Sequence, residues 1–121
     1  MPSIKEDIPP QPWPPGQATE RVRHLATQEF DFYLTKHARD QLRQRQLFSG
    51  DVLHVLKRGH IYDEAQKSTR PGFYKYKMES STPSSNSRTL RVIVIPSAAE
   101  MILKIVTVMW RDEDATFGGT S

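Results

Sequence analysis

The chain has 121 residues and a formal net charge of +3, which suits one domain with a single modest hydrophobic core. It contains no cysteine, which excludes disulfides, a thiol nucleophile and a cysteine-based zinc site. Its four histidines match no standard metal-binding spacing, so we expect neither a metal nor another cofactor.

Charge is distributed unevenly along the chain. Residues 28–112 carry 14 Lys and Arg against 9 Asp and Glu, a formal charge of +5, whereas residues 1–27 carry three of each sign. A basic domain of this kind favours a polyanionic partner. No apolar run approaches the length of a membrane span, and the first residues lack the apolar core of a signal peptide. We expect a cytoplasmic protein that does not bind a membrane.

Prolines are concentrated at the start of the chain, where residues 1–17 hold six of the nine. Such a segment has little apolar surface to bury and favours extended conformations. The sequence therefore predicts a disordered or loosely docked Pro-rich arm over residues 1–27. Trp13 is the one aromatic Phe, Tyr or Trp side chain of this arm, which is typical either of a plain tail or of a peptide that binds a partner's aromatic groove. A single domain follows over residues 28–112, and a flexible tail over residues 113–121.

The predicted domain begins with a half-buried strand and two tandem helices. Apolar and polar side chains alternate over residues 30–34, the pattern of a strand with one buried face. Thr35 is suited to cap a helix that runs to about Gln46. Ser49 is suited to cap a second helix, and Gly59 to end it in the left-handed conformation.

The rest of the domain is predicted to be a sheet. A short strand over residues 61–67 and a period-two strand over residues 73–79 precede a polar, flexible loop at residues 80–87. Two β-branched strands follow at residues 89–95 and 101–110. Consecutive strands with short connections predict antiparallel pairing, so the fold class is α+β, with the two tandem helices packed on a four- to five-stranded antiparallel sheet. The last strand is apolar on both faces, which favours a central position and a homodimer through the sheet.

Cations cluster on the first of the two helices. At 100° per residue Lys36, Arg39 and Arg43 share one face, typical either of a solvated surface or of general phosphate attraction. Arg45 points toward the body of the protein, where a guanidinium needs either a carboxylate partner or an anion. Further candidate nucleic-acid contacts lie on the second helix and the sheet: Lys57, Arg58, Lys75, Lys77 and Arg91.

Several spaced residues resemble a small, largely uncharacterised bacterial domain family over residues 32–111. The resemblance rests on the run H-A-x-x-x-L-x-x-R-x-L, a capped second helix with a following glycine, and a strand like IVTVMW: His37, Ala38, Leu42, Arg45, Leu47, Asp51, Val52, Val55, Leu56, Gly59 and residues 105–110. The chain departs from the family at Gln41, where arginine is common, and at Gln46, where glycine is usual.

That family resembles the RelE and barnase-like class of small ribonuclease toxins. Members of the class have helices followed by an antiparallel sheet, and many belong to toxin–antitoxin pairs on plasmids, phages or mobile regions. The resemblance implies nucleic-acid binding, a metal-independent endoribonuclease activity and an antitoxin partner. The missing arginine at Gln41 weakens the implied catalysis more than the implied binding.

Metal-independent RNA cleavage requires an acid, a base and cations around the phosphate. His37 is the candidate acid or base, since histidine titrates near pH ~6.5. Arg45 is the candidate phosphate fork, and Tyr74 is a candidate for base stacking or proton transfer. Each has a structural alternative: a helix-start hydrogen bond, an ion pair and cross-strand packing. The competing function is a non-catalytic, dimeric DNA-binding or partner-binding module, and the choice between RNA and DNA stays open.

Overall fold

The computed structural model describes residues 9–28 and 30–113, and its fold is α+β. The helices are α1 (Pro15–Ala26), α2 (Lys36–Gln44) and α3 (Ser49–Arg58), and a further helical turn begins at residue 111. The strands are β1 (Asp31–Leu34), β2 (His60–Ile61), β3 (Gln66–Lys67), β4 (Tyr74–Ser80), β5 (Leu90–Ser97) and β6 (Ile102–Trp110). Residues 1–8 of the predicted arm and residues 114–121 of the predicted tail lie outside the described residues.

In the described residues the sheet is mixed and has six strands, so the prediction of four or five antiparallel strands is wrong. The strand order is β1-β6-β5-β4-β2, and β3 pairs with β4 beside this path. Strands β4 to β6 form the predicted antiparallel meander, and β6 is central as expected. However, β1 runs parallel to β6, from Asp31 opposite Ile102 to Leu34 opposite Ile105. The short-connection rule did not apply to this pair, because α2, α3 and four strands separate β1 from β6 in the chain.

The helices cover one face of the sheet, and the period of two in the strands decides which side chains they cover. Cross-strand neighbours Val92 and Val108, and Val94 and Ile105, are fully buried on this inner face. The pairing register shifts between Ile93 and Val94, which leaves an extra residue in β6. The opposite face of the sheet is called the outer face below.

The prediction of a loosely docked arm is wrong for residues 9–26. Trp13 is only 2% exposed, and α1 packs against α3 and β2. Helix α1 begins at Pro15, a position where the missing N–H of proline costs nothing. The overlooked signal is an apolar stripe at helical spacing: Ala18, Val22 and Leu25, all buried.

Helix α2 begins as predicted and ends two residues early. The Thr35 hydroxyl accepts the Ala38 backbone N–H at 3.1 Å. The chain then leaves the helix through Gln46, whose φ of 57° is left-handed, and the Leu47 N–H donates to the Leu42 carbonyl at 2.9 Å. The glycine usual at this position in the resembled family fits this conformation, and here a glutamine adopts it.

Helix α3 departs from the prediction at both ends. Its capping carboxylate is Asp51, which accepts the Phe48 backbone N–H at 2.9 Å, so Ser49 is not the cap. Gly59 is extended, with φ −77° and ψ 179°, so it is not a left-handed residue. A Cβ there would lie 2.6 Å from the Val55 carbonyl oxygen, so the glycine is required by close packing.

The Ser-rich loop between β4 and β5 is anchored, although its composition predicted a flexible one. The buried Thr82 hydroxyl donates to Asp51 Oδ1 at 2.6 Å, which ties the loop to the start of α3. Within the loop, the Thr82 backbone N–H donates to the Ser85 hydroxyl at 2.8 Å. A polar composition is compatible with an ordered loop when its hydroxyls find buried partners of this kind.

Every helix in the described part of the chain is too short or too polar to cross a membrane.

Candidate functional site

The three residues predicted to form a catalytic site lie in different parts of the molecule. His37 is exposed on the first turn of α2, and Arg45 follows the last turn, roughly 12 Å further along the helix axis. Tyr74 begins β4, two strands away from β6, on which α2 packs. Its side chain is half-buried against the hydrophobic core. The structure therefore does not bring these three side chains together.

Arg45 pairs with a carboxylate, which is one of the two partners that the sequence analysis allowed for its guanidinium. Its Nε and Nη2 donate to the two carboxylate oxygens of Glu113 at 2.8 and 2.5 Å. Glu113 Oε1 also accepts the Trp110 backbone N–H at 3.0 Å. The hydrogen bond from Arg45 lowers the pKa of Glu113, and the same bond raises the pKa of Arg45. Glu113 belongs to the predicted flexible tail, but in the structure it is anchored to the end of α2.

The cationic face of α2 is partly neutralised by Asp40. Lys36 Nζ donates to Asp40 Oδ2 at 3.1 Å, and Arg43 forms a second ion pair with the same carboxylate. The hydrogen bond from Lys36 lowers the pKa of Asp40. Arg39 Nη1 donates weakly to the Leu34 carbonyl at 3.5 Å. Lys36 and Arg43 lie four residues before and three residues after Asp40, spacings at which helical side chains pair, so the sequence itself carries the signal for both ion pairs.

The remaining predicted cations are divided between the two sides of the protein. Lys57 and Arg58 are exposed at the end of α3. Lys77 is half-buried on the outer face, opposite Ile93. Arg91 is buried on the outer face, where its Nε donates to Glu79 Oε2 at 2.7 Å. Arg91 is therefore held by a cross-strand ion pair.

A cleft of about 490 Å³ opens on the outer face, near the end of the sheet where β3 and β1 flank the long strands. We call it the outer cleft. Its lining combines apolar, aromatic, hydroxyl and charged side chains: Ile95, Ile102, Val106, Tyr33, Phe73, Ser68, Thr69, Ser97, Arg70, Lys75, Lys104 and Glu100. Three cations against one carboxylate make the cleft basic.

The strand register explains why these side chains converge. Lys104 lies opposite Tyr33 on one side and Ile95 on the other. The β4–β5 register, extended by one residue, places Lys75 next to Ile95 in the same row, and Lys75 lines the same cleft. Adjacent strands are ~4.8 Å apart, so the two lysines lie about 10 Å apart across Ile95. Within the described residues, neither lysine makes a hydrogen bond or an ion pair.

Two aromatic rings stand at the cleft. Tyr33 is 52% exposed, and Phe73 is half-buried beneath the guanidinium of Arg70, which lies 4.2 Å from the ring centroid. Arg70 is also 3.9 Å from Glu100, a long ion pair at the surface. The outer cleft thus presents lysine ammonium groups beside exposed aromatic surface.

Of the charged and aromatic residues in the outer cleft, only Lys75 was a predicted site residue. Lys104 interrupts an otherwise apolar strand, and its position in the alternation places it on the outer face. Tyr33 alternates with the inward-facing Phe32 and Leu34 in the same way. Both signals were present in the sequence, but the strand order that brings them together was not.

A protein-family model described as a domain of unknown function, DUF4258, matches residues 34–110. The chain belongs to this family. In this DUF4258 protein the match runs from the end of β1 through β6, so it includes Lys75 and Lys104 and leaves α1 and Tyr33 outside. Comparison with curated proteins and with solved structures gave no significant match. In residues 9–28 and 30–113 no three potential ligand side chains form a group that would hold a metal ion.

Proposed function

We propose that this DUF4258 protein binds nucleic acid through the outer cleft. The observation that carries the proposal is the row formed by Tyr33, Lys104, Ile95 and Lys75 across four strands. Lysine ammonium groups that neutralise phosphates release condensed counterions, which drives nucleic-acid binding. An exposed aromatic ring beside them offers a stacking surface to an unpaired base.

The lack of protein partners for the two lysines supports this assignment over a purely structural role. The cations of α2 lie beside Asp40, and Arg91 lies against Glu79, so part of their charge is already neutralised. Lys75 and Lys104 have no such partner within the described residues, and both are half-buried at the cleft. A ligand phosphate would supply the missing counter-charge. The formal charge of +5 on residues 28–112 adds long-range attraction in the same direction.

We further propose that the domain is related to the RelE and barnase-like toxins. The order of two helices followed by the antiparallel strands β4 to β6 supports this relationship, and so does the family resemblance of the sequence. The relationship implies RNA as the ligand and an antitoxin as the protein partner. Cleavage would need residues other than the set His37, Arg45 and Tyr74, because those three side chains do not converge.

A binding experiment with paired variants tests the proposal. Short single-stranded RNA and DNA oligonucleotides are titrated with protein in EDTA over a series of salt concentrations, and fluorescence anisotropy gives the affinity. Lys75→Ala with Lys104→Ala should weaken binding and lower the salt slope by about two, one for each phosphate contact. Lys57→Ala with Arg58→Ala removes the same charge from the end of α3 and should leave the slope nearly unchanged.

Three results would decide against the proposal. An unchanged affinity in the Lys75/Lys104 variant would remove the outer cleft from consideration. A large loss in Arg39→Ala with Arg43→Ala instead would place the interface on α2, as the sequence alone predicted. Failure of the parent protein to bind either oligonucleotide would refute nucleic-acid binding itself. Gel analysis of the RNA after each titration tests for metal-independent cleavage.

A further inference from the structure

A second cleft, of about 550 Å³, lies where the end of α2 meets the β4–β5 loop and the end of β6. We call it the arginine cleft. Its charged lining residues are Arg45, Arg88 and Glu113, and Trp110 forms an aromatic wall. It shares no described lining residue with the outer cleft, so it needs an explanation of its own.

Arg45 presents a two-pronged edge to this cleft. Its Nη1 donates to the Gln41 carbonyl at 3.3 Å, which fixes the guanidinium plane against α2. The Nε–Nη2 edge then faces Glu113 and donates both of its N–H groups to the carboxylate. This fork geometry matches a carboxylate and a phosphate equally well.

Arg88 is held in a similar way on the other side of the cleft. Its guanidinium carbon lies 4.1 Å from the centroid of the Trp110 ring, so the ring fixes its position. Its Nη2 donates to Asp112 Oδ1 at 2.8 Å. Each arginine at the cleft therefore already contacts one carboxylate oxygen or more.

The two carboxylates come from consecutive residues, Asp112 and Glu113, which are separated from the end of β6 by one residue. Both lie beyond the part of the chain that matches the DUF4258 family, whereas Arg45 and Arg88 lie within it. The family domain thus contributes the cations of the cleft, and an appended acidic pair contributes the anions.

We propose that the arginine cleft is a phosphate-binding site whose two arginines are held by tethered carboxylates, Glu113 in the lining and Asp112 on Arg88, until a phosphate-bearing ligand displaces them. A phosphate dianion carries more charge than one carboxylate and has enough oxygens to bridge the two guanidinium groups. A tethered carboxylate competes at an effective concentration on the order of millimolar, so the acidic pair sets a threshold for the ligand. The side chains of Ser84 and Asn86 add hydrogen-bonding groups to the lining. This inference does not depend on nucleic-acid binding at the outer cleft.

The test removes the charge of the acidic pair and keeps its shape. Titration of inorganic phosphate at constant ionic strength is followed by NMR, through the Trp110 indole and Arg45 Nε signals. Asp112→Asn with Glu113→Gln should bind phosphate roughly tenfold more tightly than the parent, because the tethered competitor is weakened. Arg45→Gln added to that variant should abolish the gain.

A matched control is available in the loop before β3. Asp63 and Glu64 are also consecutive and acidic, and both are exposed. Asp63→Asn with Glu64→Gln makes the same change in net charge and should bind phosphate as the parent does. Equal affinities in the two double variants would refute the proposal, since general electrostatics would then account for the effect.

The parent protein provides a test that does not depend on how well the variants fold. Phosphate should shift the Trp110 and Arg45 signals of the unmodified chain in a saturable way, and chloride at the same ionic strength should not. Absence of a saturable shift would overturn the proposal. A parallel titration with adenosine monophosphate identifies the ligand: tighter binding than phosphate supports a nucleotide, and equal binding supports phosphate alone.

Discussion

Trp13 stacks on Tyr76 with ring centroids 5.5 Å apart and an interplanar angle of 25°. The Trp13 backbone N–H donates to the Tyr76 hydroxyl at 3.0 Å, and that hydroxyl donates to Gln11 Oε1 at 3.2 Å. The indole Nε1 donates to the Pro9 carbonyl at 2.9 Å. A segment outside the family match is therefore built into the core through β4.

Loss of the Trp13 ring should destabilise the whole fold. Trp13→Ala removes a side chain that is 2% exposed, and deletion of a buried Trp typically costs about 3–5 kcal/mol in unfolding free energy. Urea denaturation followed by circular dichroism measures the change. Phe48→Ala is the control: that ring is 69% exposed, so its loss should cost less than about 1 kcal/mol. Equal midpoints for the two variants would show that the Trp13 contact does not stabilise the fold.

Stability should fall at high pH because of Tyr76. Burial raises the pKa of Tyr76 to about 12, whereas a tyrosine in the unfolded chain titrates near ~10. Below pH ~10 the Tyr76 phenol is neutral in both the folded and the unfolded chain, so its full contribution to the unfolding free energy is present. Between pH ~10 and ~12 only the unfolded chain loses the proton, so the unfolding free energy should drop, by roughly 1–2 kcal/mol.

The matched variant for this pH effect is Tyr76→Phe. It keeps the ring against Trp13 and removes the titrating group, so the drop attributable to this site should disappear. Its baseline stability should be lower than that of the parent, because the Trp13 N–H loses its acceptor. Chemical denaturation at a series of pH values measures both quantities. A drop of the same size in both proteins would assign the effect to other groups.

Substitution by alanine should change the stability of the protein in opposite directions at two glycines. At Gly59 a Cβ would lie 2.6 Å from the Val55 carbonyl oxygen and 2.9 Å from that of Glu79, both backbone atoms. Gly59→Ala should therefore destabilise the protein by about 1–3 kcal/mol or more. At Gly50, in the first turn of α3, nothing lies within 4 Å of the added atom. Gly50→Ala should be stabilising by about 0.4–1 kcal/mol, which differential scanning fluorimetry can resolve.

The outer face also predicts self-association. Ile93 and Met109 are half-buried there and lie outside the lining of the outer cleft, so a dimer contact through them leaves that cleft accessible. We expect light scattering at micromolar concentration to give twice the chain mass of 13.9 kDa. Ile93→Gln should lower the measured mass toward that of a single chain. A monomeric parent protein would contradict the expectation.

The elements best predicted from the sequence are those whose signal is local. Alternation assigned the correct faces in β4 but not in β6, where strict alternation places Val106 and Val108 on one face and a register shift instead puts Val106 in the outer cleft and leaves Val108 on the inner face. The signal in β4 was sufficient because the side-chain period of a strand is a property of its own backbone. Thr35 was recognised as a cap for the same reason, since its partner, the Ala38 N–H, is three residues away. Helix α1 is the element that the sequence predicts worst, because its apolar stripe begins directly after a proline-rich segment that favours an extended arm.

The site was less predictable, because its contacts are distant in the chain. The azimuth of Arg45 showed that it needed an anionic partner, but Glu113 lies 68 residues away and no spacing rule identifies it. Lys75 was recognised from its own strand. Its proximity to Lys104 depends on the order of β4, β5 and β6, which tertiary pairing decides.

The parallel pairing of β1 with β6 bears on how the chain folds during synthesis. Asp31 pairs with Ile102, 71 positions later, so β1 and both of its successor helices leave the ribosome long before their last partner strand exists. Contacts of such high sequence separation form late and slow folding. Strand β6 lies between β1 and β5. In a nascent chain that ends before residue 102, β1 therefore has no strand to pair with and stays separate from the rest of the sheet. Completion of the fold should therefore coincide with emergence of the final strand from the exit tunnel.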